Sequence, residues 1–229
     1  MDTPKSDDAP VGKWLGITLF TALCLFGAAG TIRWWNAWVF IAANTVTAAI
    51  LTNRVFKASP DLVQERATAR RQAKAWDKVL VPFVVAVFPL ASLILAGLDR
   101  RYGWTHAITT AESVTAIGIL LAANGLVFWA MKSNRFFSSH VRIQTDRGHT
   151  AVDRGPYAWI RHPGYAGMIL HGLAAPVLLG SAAALWAGVA NAGLLVLRTV
   201  LEDRTLLAEL PGYREYAERV RHRLVPWVW

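Results

Sequence analysis

Long runs of apolar residues dominate the pattern along this chain. Residues 14–32, 34–51, 79–98 and 113–131 form four runs that are almost free of charge. Each holds roughly 18 to 20 residues, which at ~1.5 Å per residue is enough to cross a ~30 Å hydrocarbon core. A soluble amphipathic helix would instead mix apolar and polar positions. The pattern therefore predicts four transmembrane helices.

A fifth apolar run covers residues 165–201 and contains one charged residue, Arg198. As a single helix it would be about 55 Å long, nearly twice the hydrocarbon core, so it must fold back. Pro176, followed by Gly180 and Ser181, supplies the break, because proline removes a helical donor and glycine tolerates a turn. We therefore expect an all-α integral membrane bundle of five to six transmembrane helices with a C-terminal helical hairpin.

The composition changes abruptly after residue 131, and this is where we place a domain boundary. Residues 1–131 form a transmembrane scaffold of four spans, and residues 132–229 form a C-terminal catalytic region. Within the scaffold, residues 59–61 predict a helix start, and the basic residues up to Lys78 predict a helix along the lipid headgroups. After the hairpin, residues 202–223 predict a charged helix interrupted at Pro211-Gly212.

The net charge of +9 comes from 24 Lys and Arg residues against 15 acidic residues. With a cytoplasmic N-terminus, 21 of these 24 basic residues lie in cytoplasmic segments. The outside segments hold Arg33, Arg100 and Arg101 alone, as the positive-inside rule requires. We therefore expect a multi-pass protein with both termini in the cytoplasm, in the inner membrane if the cell is bacterial. Orientation and anionic lipids explain the charge, so no nucleic-acid partner is predicted.

Common signatures of soluble enzymes are missing from the sequence. It contains no Gly-x-Gly-x-x-Gly, no phosphate-binding loop and no His-Glu-x-x-His. None of the six histidines has metal-ligand spacing to a second one, and Cys24 is the single cysteine. We therefore predict neither a metal site nor an internal disulfide.

Residues 155–165 are the most informative segment for chemistry. Its polar part ends where the hairpin begins, which puts His162 beside a helix start with Pro163 in the first turn. A helix start offers unpaired N–H groups and partial positive charge to an anion. Aromatic side chains that could stack on a base or face a cation surround this point: Tyr157, Trp159 and Tyr165. Trp159 and Arg161 are equally compatible with simple interface anchors.

Arg198 and Glu202 are four residues apart and share one helix face. They are compatible with a simple ion pair worth ~0.2–0.5 kcal/mol. They are also compatible with a pocket in which Arg198 binds a substrate anion and Glu202 binds a cofactor amine or hydroxyl.

Several motifs occur in a fixed order from about residue 140 to residue 226. Gly-Pro-Tyr and Arg-His-Pro-x-Tyr precede the hairpin, and Arg-x-x-x-Glu and Tyr-x-x-Tyr follow. This order resembles the isoprenylcysteine carboxyl methyltransferase family and its phospholipid methyltransferase relatives. The resemblance implies transfer of a methyl group from S-adenosylmethionine to a lipophilic acceptor, such as a prenyl or lipid carboxylate. The reaction would take place at the cytoplasmic interface, with the cofactor pocket on that face.

The resemblance also implies roles for individual residues. Arg198 is similar to the family's substrate-binding arginine and is the predicted catalytic residue. Gln144 is the nearest match to an upstream cofactor glutamine, although its spacing to His149 is shorter than usual. The implied cofactor-binding residues are Gln144, His149, Thr150, Ala151, Val152, Tyr157, His162, Pro163, Gly164, Tyr165 and Glu202.

Two other functions remain open at this point. Membrane sterol reductases that use NADPH share an Arg-His-x-x-Tyr element and a similar C-terminal pocket. A non-catalytic lipid-binding membrane protein could also keep this fold. Binding of S-adenosylhomocysteine or of NADPH distinguishes these alternatives, whereas the acceptor and the oligomeric state cannot be derived from the sequence.

Overall fold

The computed structural model describes residues 9–51, 53–54, 65, 69–105 and 108–229, and these residues form helices and loops without a strand. This confirms the all-α prediction. The helices are α1 (Ala9–Ala29), α2 (Trp35–Leu51), α3 (Ala75–Tyr102), α4 (Thr110–Ser133), α5 (Pro163–Leu178), α6 (Ala182–Glu209) and α7 (Tyr213–Arg219). Helix α3 contains a π-helical segment at Phe83–Val87, and two 3-10 turns, Thr145–Arg147 and Gly155–Ala158, lie between α4 and α5.

The helices follow the predicted apolar runs. Of the described helices, α3, α4 and α6 are long and apolar enough to cross a membrane, and α1 and α2 are shorter apolar helices. Each of the first four runs lies mainly within one helix, and the fifth forms two helices. The total number of crossings stays a prediction.

The hairpin between α5 and α6 turns at residues 179–181. Gly180 has a φ of +76°, and the Ser181 hydroxyl accepts a hydrogen bond from the Ala184 N–H at the start of α6. Of the three residues predicted to make the break, Gly180 and Ser181 form the turn, whereas Pro176 lies inside the last turn of α5 and does not end it. A proline removes one hydrogen bond but does not end a helix that is supported by packing, and the left-handed glycine makes the turn.

Three helix connections meet at one end of the bundle, which we call the turn end. The buried carboxylate of Asp99, near the end of α3, accepts hydrogen bonds from Thr105 and from the Ser181 hydroxyl. The Asn36 side chain at the start of α2 donates to the Leu178 carbonyl over 2.7 Å. These contacts join the α1–α2, α3–α4 and α5–α6 connections.

Small residues allow the helices to approach closely, as is typical of membrane bundles. A Cβ on Gly97 would lie 2.6 Å from the Ala28 Cβ on α1, and one on Gly167 would lie 2.9 Å from the Ala123 carbonyl oxygen on α4. The main hydrophobic core is built mostly from residues of α1 to α6 and includes Leu25, Trp34, Leu120 and Leu178.

The segments flanking the bundle differ in part from the expectation. The predicted helix start at residues 59–61 lies outside the described residues. Downstream, Glu65 is 3% exposed and Asp77 is fully buried, so this segment packs its carboxylates against the C-terminal region and does not simply lie on the headgroups. The predicted interruption after the hairpin is confirmed, because α6 ends at Glu209, and Gly212, with a φ of +78°, precedes α7.

Candidate active site

An open pocket lies at the end of the bundle opposite the turn end. The α4–α5 loop, the start of α5, the end of α6 and α7 enclose about 800 Å³ of empty space, part of it open to solvent. Pro163 begins α5 at its edge, and the other ten residues with a predicted cofactor role line it: Gln144, His149, Thr150, Ala151, Val152, Tyr157, His162, Gly164, Tyr165 and Glu202. Their role in binding stays a prediction.

The start of α5 forms one wall of this pocket. His162 is the residue before the helix and Pro163 is its first residue, as predicted. The His162 ring stacks on the Tyr165 ring with centroids 5.8 Å apart and planes within 3°. A Cβ on Gly164 would lie 2.7 Å from the Phe137 ring, so only glycine lets the α4–α5 loop approach the helix start this closely.

Asp203, which is 1% exposed, holds this wall in place. Its carboxylate accepts two hydrogen bonds from Arg161, at 2.8 and 2.9 Å, and one from Arg223 at 2.8 Å. The Tyr213 hydroxyl donates to it over 2.9 Å, and His162 Nε2 lies 3.3 Å from it. One carboxylate therefore joins the start of α5, the end of α6, α7 and the segment after α7.

This network decides between the two interpretations of Arg161. Arg161 is 7% exposed, so it is a buried structural residue and not an interface anchor. Burial opposes its charge, but the hydrogen bonds and the charge of Asp203 raise the pKa of the guanidinium above its usual value. Trp159, which is 65% exposed, does fit an anchor.

Arg198 is 3% exposed and is paired with Asp77 at the start of α3. Its Nε donates to Asp77 Oδ1 over 2.8 Å, and its Nη2 donates to the Ser139 carbonyl over 2.9 Å. Asp77 Oδ2 accepts a further bond from the Val141 N–H at 2.8 Å. Within the described part of the chain, Nη1 of Arg198 has no hydrogen-bond partner. The simple Arg198–Glu202 ion pair is therefore wrong, because Asp77 takes the place of Glu202.

Tyr165 stands between Arg198 and Glu202. Its hydroxyl donates to Glu202 Oε2, and the Arg198 guanidinium carbon lies 5.1 Å from its ring centroid. Glu202 and Tyr165 line the pocket, whereas Arg198 is not among its lining residues and reaches it through Tyr165. The two candidate residues of α6 are thus on the same face, with Arg198 one turn deeper in the bundle.

The α4–α5 loop uses Gln144 to hold its own shape. The Gln144 amide donates to the Phe136 carbonyl over 2.7 Å, and its oxygen accepts from Arg147 at 2.5 Å. The side-chain oxygen and one amide hydrogen are therefore already engaged within the loop. The His149 ring packs on Phe136 at a centroid distance of 4.6 Å, and its burial lowers the pKa of His149 to about 4. His149 is therefore neutral at pH 7 and accepts a hydrogen bond from the Gln144 N–H.

Three buried carboxylates were missed from the sequence: Glu65, Asp77 and Asp203. Glu65 pairs with Arg142, whose hydrogen bond to Glu65 lowers the pKa of that carboxyl. Glu65 and Asp77 lie in a segment whose basic residues predict a helix on the membrane surface, so the local sequence gives no sign that these carboxylates are buried. The one available signal was the scarcity of acidic residues in a chain of net charge +9, which makes each carboxylate near a span a candidate partner for a buried arginine.

A comparison with models of known protein families finds a match that includes most of the pocket. Residues 116–208 match the model of the isoprenylcysteine carboxyl methyltransferase (ICMT) family. The match covers most of α4, the α4–α5 loop, α5 and nearly all of α6, which together supply most of the pocket. It confirms the resemblance derived from the motifs. A comparison with curated proteins finds no match.

Proposed function

From the membership of residues 116–208 in the isoprenylcysteine carboxyl methyltransferase family, we propose that this chain transfers the methyl group of S-adenosylmethionine to a lipophilic acceptor. The family indicates a membrane methyltransferase, and three membrane-capable helices agree with an integral membrane protein. The cofactor, the acceptor class and a cytoplasmic location of the pocket are the parts that we add.

The position of Tyr165 between Glu202 and Arg198 is the observation that carries the proposal. On the pocket side, Glu202 offers a carboxylate for an amine or hydroxyl of the cofactor. On the bundle side, Arg198 lies one turn, about 5.4 Å, closer to the apolar interior. A polar cofactor arriving from water would meet Glu202 first, and an acceptor arriving from the lipid would meet Arg198.

Methyl transfer of this kind needs no nucleophilic side chain. When bound, S-adenosylmethionine would supply an electrophilic methyl carbon and a sulfur leaving group that keeps the electron pair of the carbon–sulfur bond, and an oxygen lone pair of the acceptor would supply the new bond. The protein therefore acts by holding the two partners in line and by excluding water. A carboxylate acceptor needs no base, because it carries no proton to remove.

The described contacts suggest how individual residues would hold the two partners. The start of α5 would offer the Gly164 N–H and partial positive charge to the carboxylate of the cofactor, since Pro163 has no N–H and those of Tyr165 and Ala166 donate to the His162 carbonyl. Arg198 would bind an anionic acceptor through Nη1, while Asp77 and the Ser139 carbonyl fix its other nitrogens. Asp77 is thus a positioning residue for Arg198.

The cofactor half of the proposal is tested by Glu202→Gln. We expect this variant to bind S-adenosylhomocysteine at least about tenfold more weakly, because a hydrogen bond to a charged group is worth ~1.5–3 kcal/mol. Glu209→Gln is the matched control, since Glu209 lies on the same helix but pairs with Lys74 at the surface. Titration calorimetry on detergent-solubilised protein gives both affinities. Wild-type affinity in Glu202→Gln, or binding of NADPH in place of S-adenosylhomocysteine, would contradict the proposal.

The acceptor half is tested by Arg198→Lys. Lysine keeps the charge but cannot make the planar contacts of a guanidinium. We expect this variant to methylate membrane lipid extracts more slowly than wild type, as measured by mass spectrometry with methyl-labelled cofactor. Its affinity for S-adenosylhomocysteine should stay within a few fold of wild type. A matching loss of cofactor affinity would show instead that Arg198 mainly orients Tyr165 and Glu202.

A further inference from the structure

A second cavity lies within the apolar part of the bundle. Residues from α1 to α6 line a cavity with about 1270 Å³ of empty space, part of it open to the outside, and among the described residues it shares no lining residue with the pocket above. Its walls are mostly Val, Leu, Phe, Ala and Gly side chains. Ile17 and Val85 line it and are each 54% exposed on apolar helices, so it opens towards the lipid.

Asn191 of α6 gives this cavity an unusual chemical feature. The residue lines the cavity and is 8% exposed, and its Oδ1 is buried with no hydrogen-bond partner among the described residues. An unpaired amide oxygen in an apolar, membrane-embedded site is costly, and natural proteins rarely keep one without a reason. A ligand that donates a hydrogen bond would remove this cost.

Three other cavity residues form a hydrogen-bond chain with a fixed direction. The Thr47 hydroxyl donates to the Ala43 carbonyl over 2.8 Å, so it must accept from Asn124 Nδ2 at 3.2 Å. Asn124 Oδ1 then accepts from His171 Nδ1 at 2.9 Å. In a neutral imidazole this leaves Nε2 of His171 as an acceptor. The cavity wall therefore carries a second acceptor besides Asn191.

The place of Asn191 on α6 relates this cavity to the rest of the helix. Asn191 precedes Arg198 by seven residues, so the two share a face about 10 Å apart. Gly188, one turn before Asn191, packs against the carbonyl of Gly172, which follows His171 on α5. Asn191 and His171 thus each lie within about one turn of this contact between α5 and α6.

We propose that this intramembrane cavity binds a lipophilic alcohol whose hydroxyl donates a hydrogen bond to Asn191 Oδ1. A hydroxyl can also accept from the Asn191 amide, so one small group satisfies both ends of the side chain. A charged amine would be far more expensive to bury here. This site does not depend on methyl transfer, because the same contacts form whether or not the alcohol is an acceptor.

The test compares tritiated 1-hexadecanol with hexadecyl methyl ether, which has the same chain but no hydrogen to donate. Scintillation proximity on the full chain in detergent, without cofactor, measures hexadecanol binding directly and ether binding by competition. We expect wild type to prefer the alcohol about tenfold. Equal affinity for alcohol and ether would overturn the proposal, since it would mean that water or nothing satisfies Asn191.

Variants then locate the hydroxyl. Asn191→Leu should bind both compounds with similar affinity, and Asn191→Val serves as a second apolar variant should leucine not fit. Asn44→Leu is the matched control, because Asn44 lines the same cavity but its amide already donates to the Phe40 carbonyl over 2.9 Å. Asn44→Leu should keep the preference for the alcohol. A full preference in both Asn191 variants would place the hydroxyl elsewhere and overturn the assignment.

Discussion

Arg198 shows how one side chain keeps its charge at the edge of an apolar bundle. It is almost completely buried, and its partner Asp77 is fully buried. Such a pair costs desolvation on both sides, so it adds little stability over an apolar pair of the same shape. Removing only one partner is different, because the other charge then remains buried without compensation.

We therefore expect Asp77→Asn to destabilise the protein by about 3–5 kcal/mol. Asp153→Asn is the matched control, because Asp153 pairs with Arg219 at the surface, where both side chains are 61% exposed. The control should change stability by less than about 1 kcal/mol. Chemical denaturation in detergent measures both, and equal effects would show that the Arg198–Asp77 pair is not buried in solution.

His149 predicts a dependence of stability on pH. Its pKa is about 4 in the folded protein, chiefly because of burial, against roughly 6.5 for a free histidine. Between these values the unfolded chain binds the proton and the folded chain does not, so stability falls as pH drops from 6.5 to 4. Because the ring is only partly buried, we expect a loss of about 1 kcal/mol. Thermal unfolding across this range should show a shallower slope in His149→Asn, and an unchanged slope would assign the effect to other groups.

At the scale of the element, the α5–α6 hairpin depends on two glycines that meet face to face. A Cβ on Gly188 would lie 2.5 Å from the Gly172 carbonyl oxygen, which is backbone and cannot rotate away. The arms of the hairpin would have to separate to accept a methyl group. The close approach of these helices is therefore set by residue size and not by a hydrophobic sequence pattern.

Gly188→Ala should accordingly destabilise the protein by about 1–3 kcal/mol. Gly193→Ala, five residues along the same helix, has nothing within 4 Å of its added Cβ and should be neutral or stabilising by up to about 1 kcal/mol. Denaturation midpoints in one detergent compare the two directly. Similar losses in both variants would mean that helix propensity in the membrane, and not the contact with Gly172, controls the outcome.

The same elements show what the sequence could and could not predict. Apolar run length and the proline at the start of α5 are local properties, and they placed the helices and the first residue of α5 correctly. The break was predicted from Pro176, Gly180 and Ser181 together; the left-handed Gly180 makes the turn, whereas packing keeps Pro176 within α5. The pairing of Asp77 with Arg198 joins residues 121 positions apart, so no local pattern indicates it. Tertiary packing alone brings these two side chains together.

At the scale of the whole molecule, the bundle has two chemically different ends. The turn end carries Arg33, Arg100 and Arg101 near the helix connections, and among the described residues the opposite end carries the pocket and most of the other charges. If basic residues face the cytoplasm, the pocket does too. This orientation is a prediction about the protein in its membrane and needs a test there.

Single cysteines at Arg33 and at Glu215 provide that test, in a Cys24→Ala background. Both positions are exposed, one at the turn end and one on α7. An impermeant thiol reagent applied to sealed vesicles of known orientation should label Arg33→Cys from outside and Glu215→Cys from the cytoplasmic side. Labelling of both from the same side would contradict the topology.

The Asp203 network also has a consequence for the order in which the molecule is assembled. During synthesis, residues 161, 162 and 203 exist before Arg223 does, so the carboxylate can meet its first cation as soon as α6 is in place. The bond from Arg223, and the backbone bonds from Arg161 and His162 to the His222 and Arg223 carbonyls, form only afterwards. The wall of the pocket is thus completed only after residues 222 and 223 have been translated. A nascent chain whose hairpin has already entered the membrane but which has not reached these residues therefore still lacks a finished pocket.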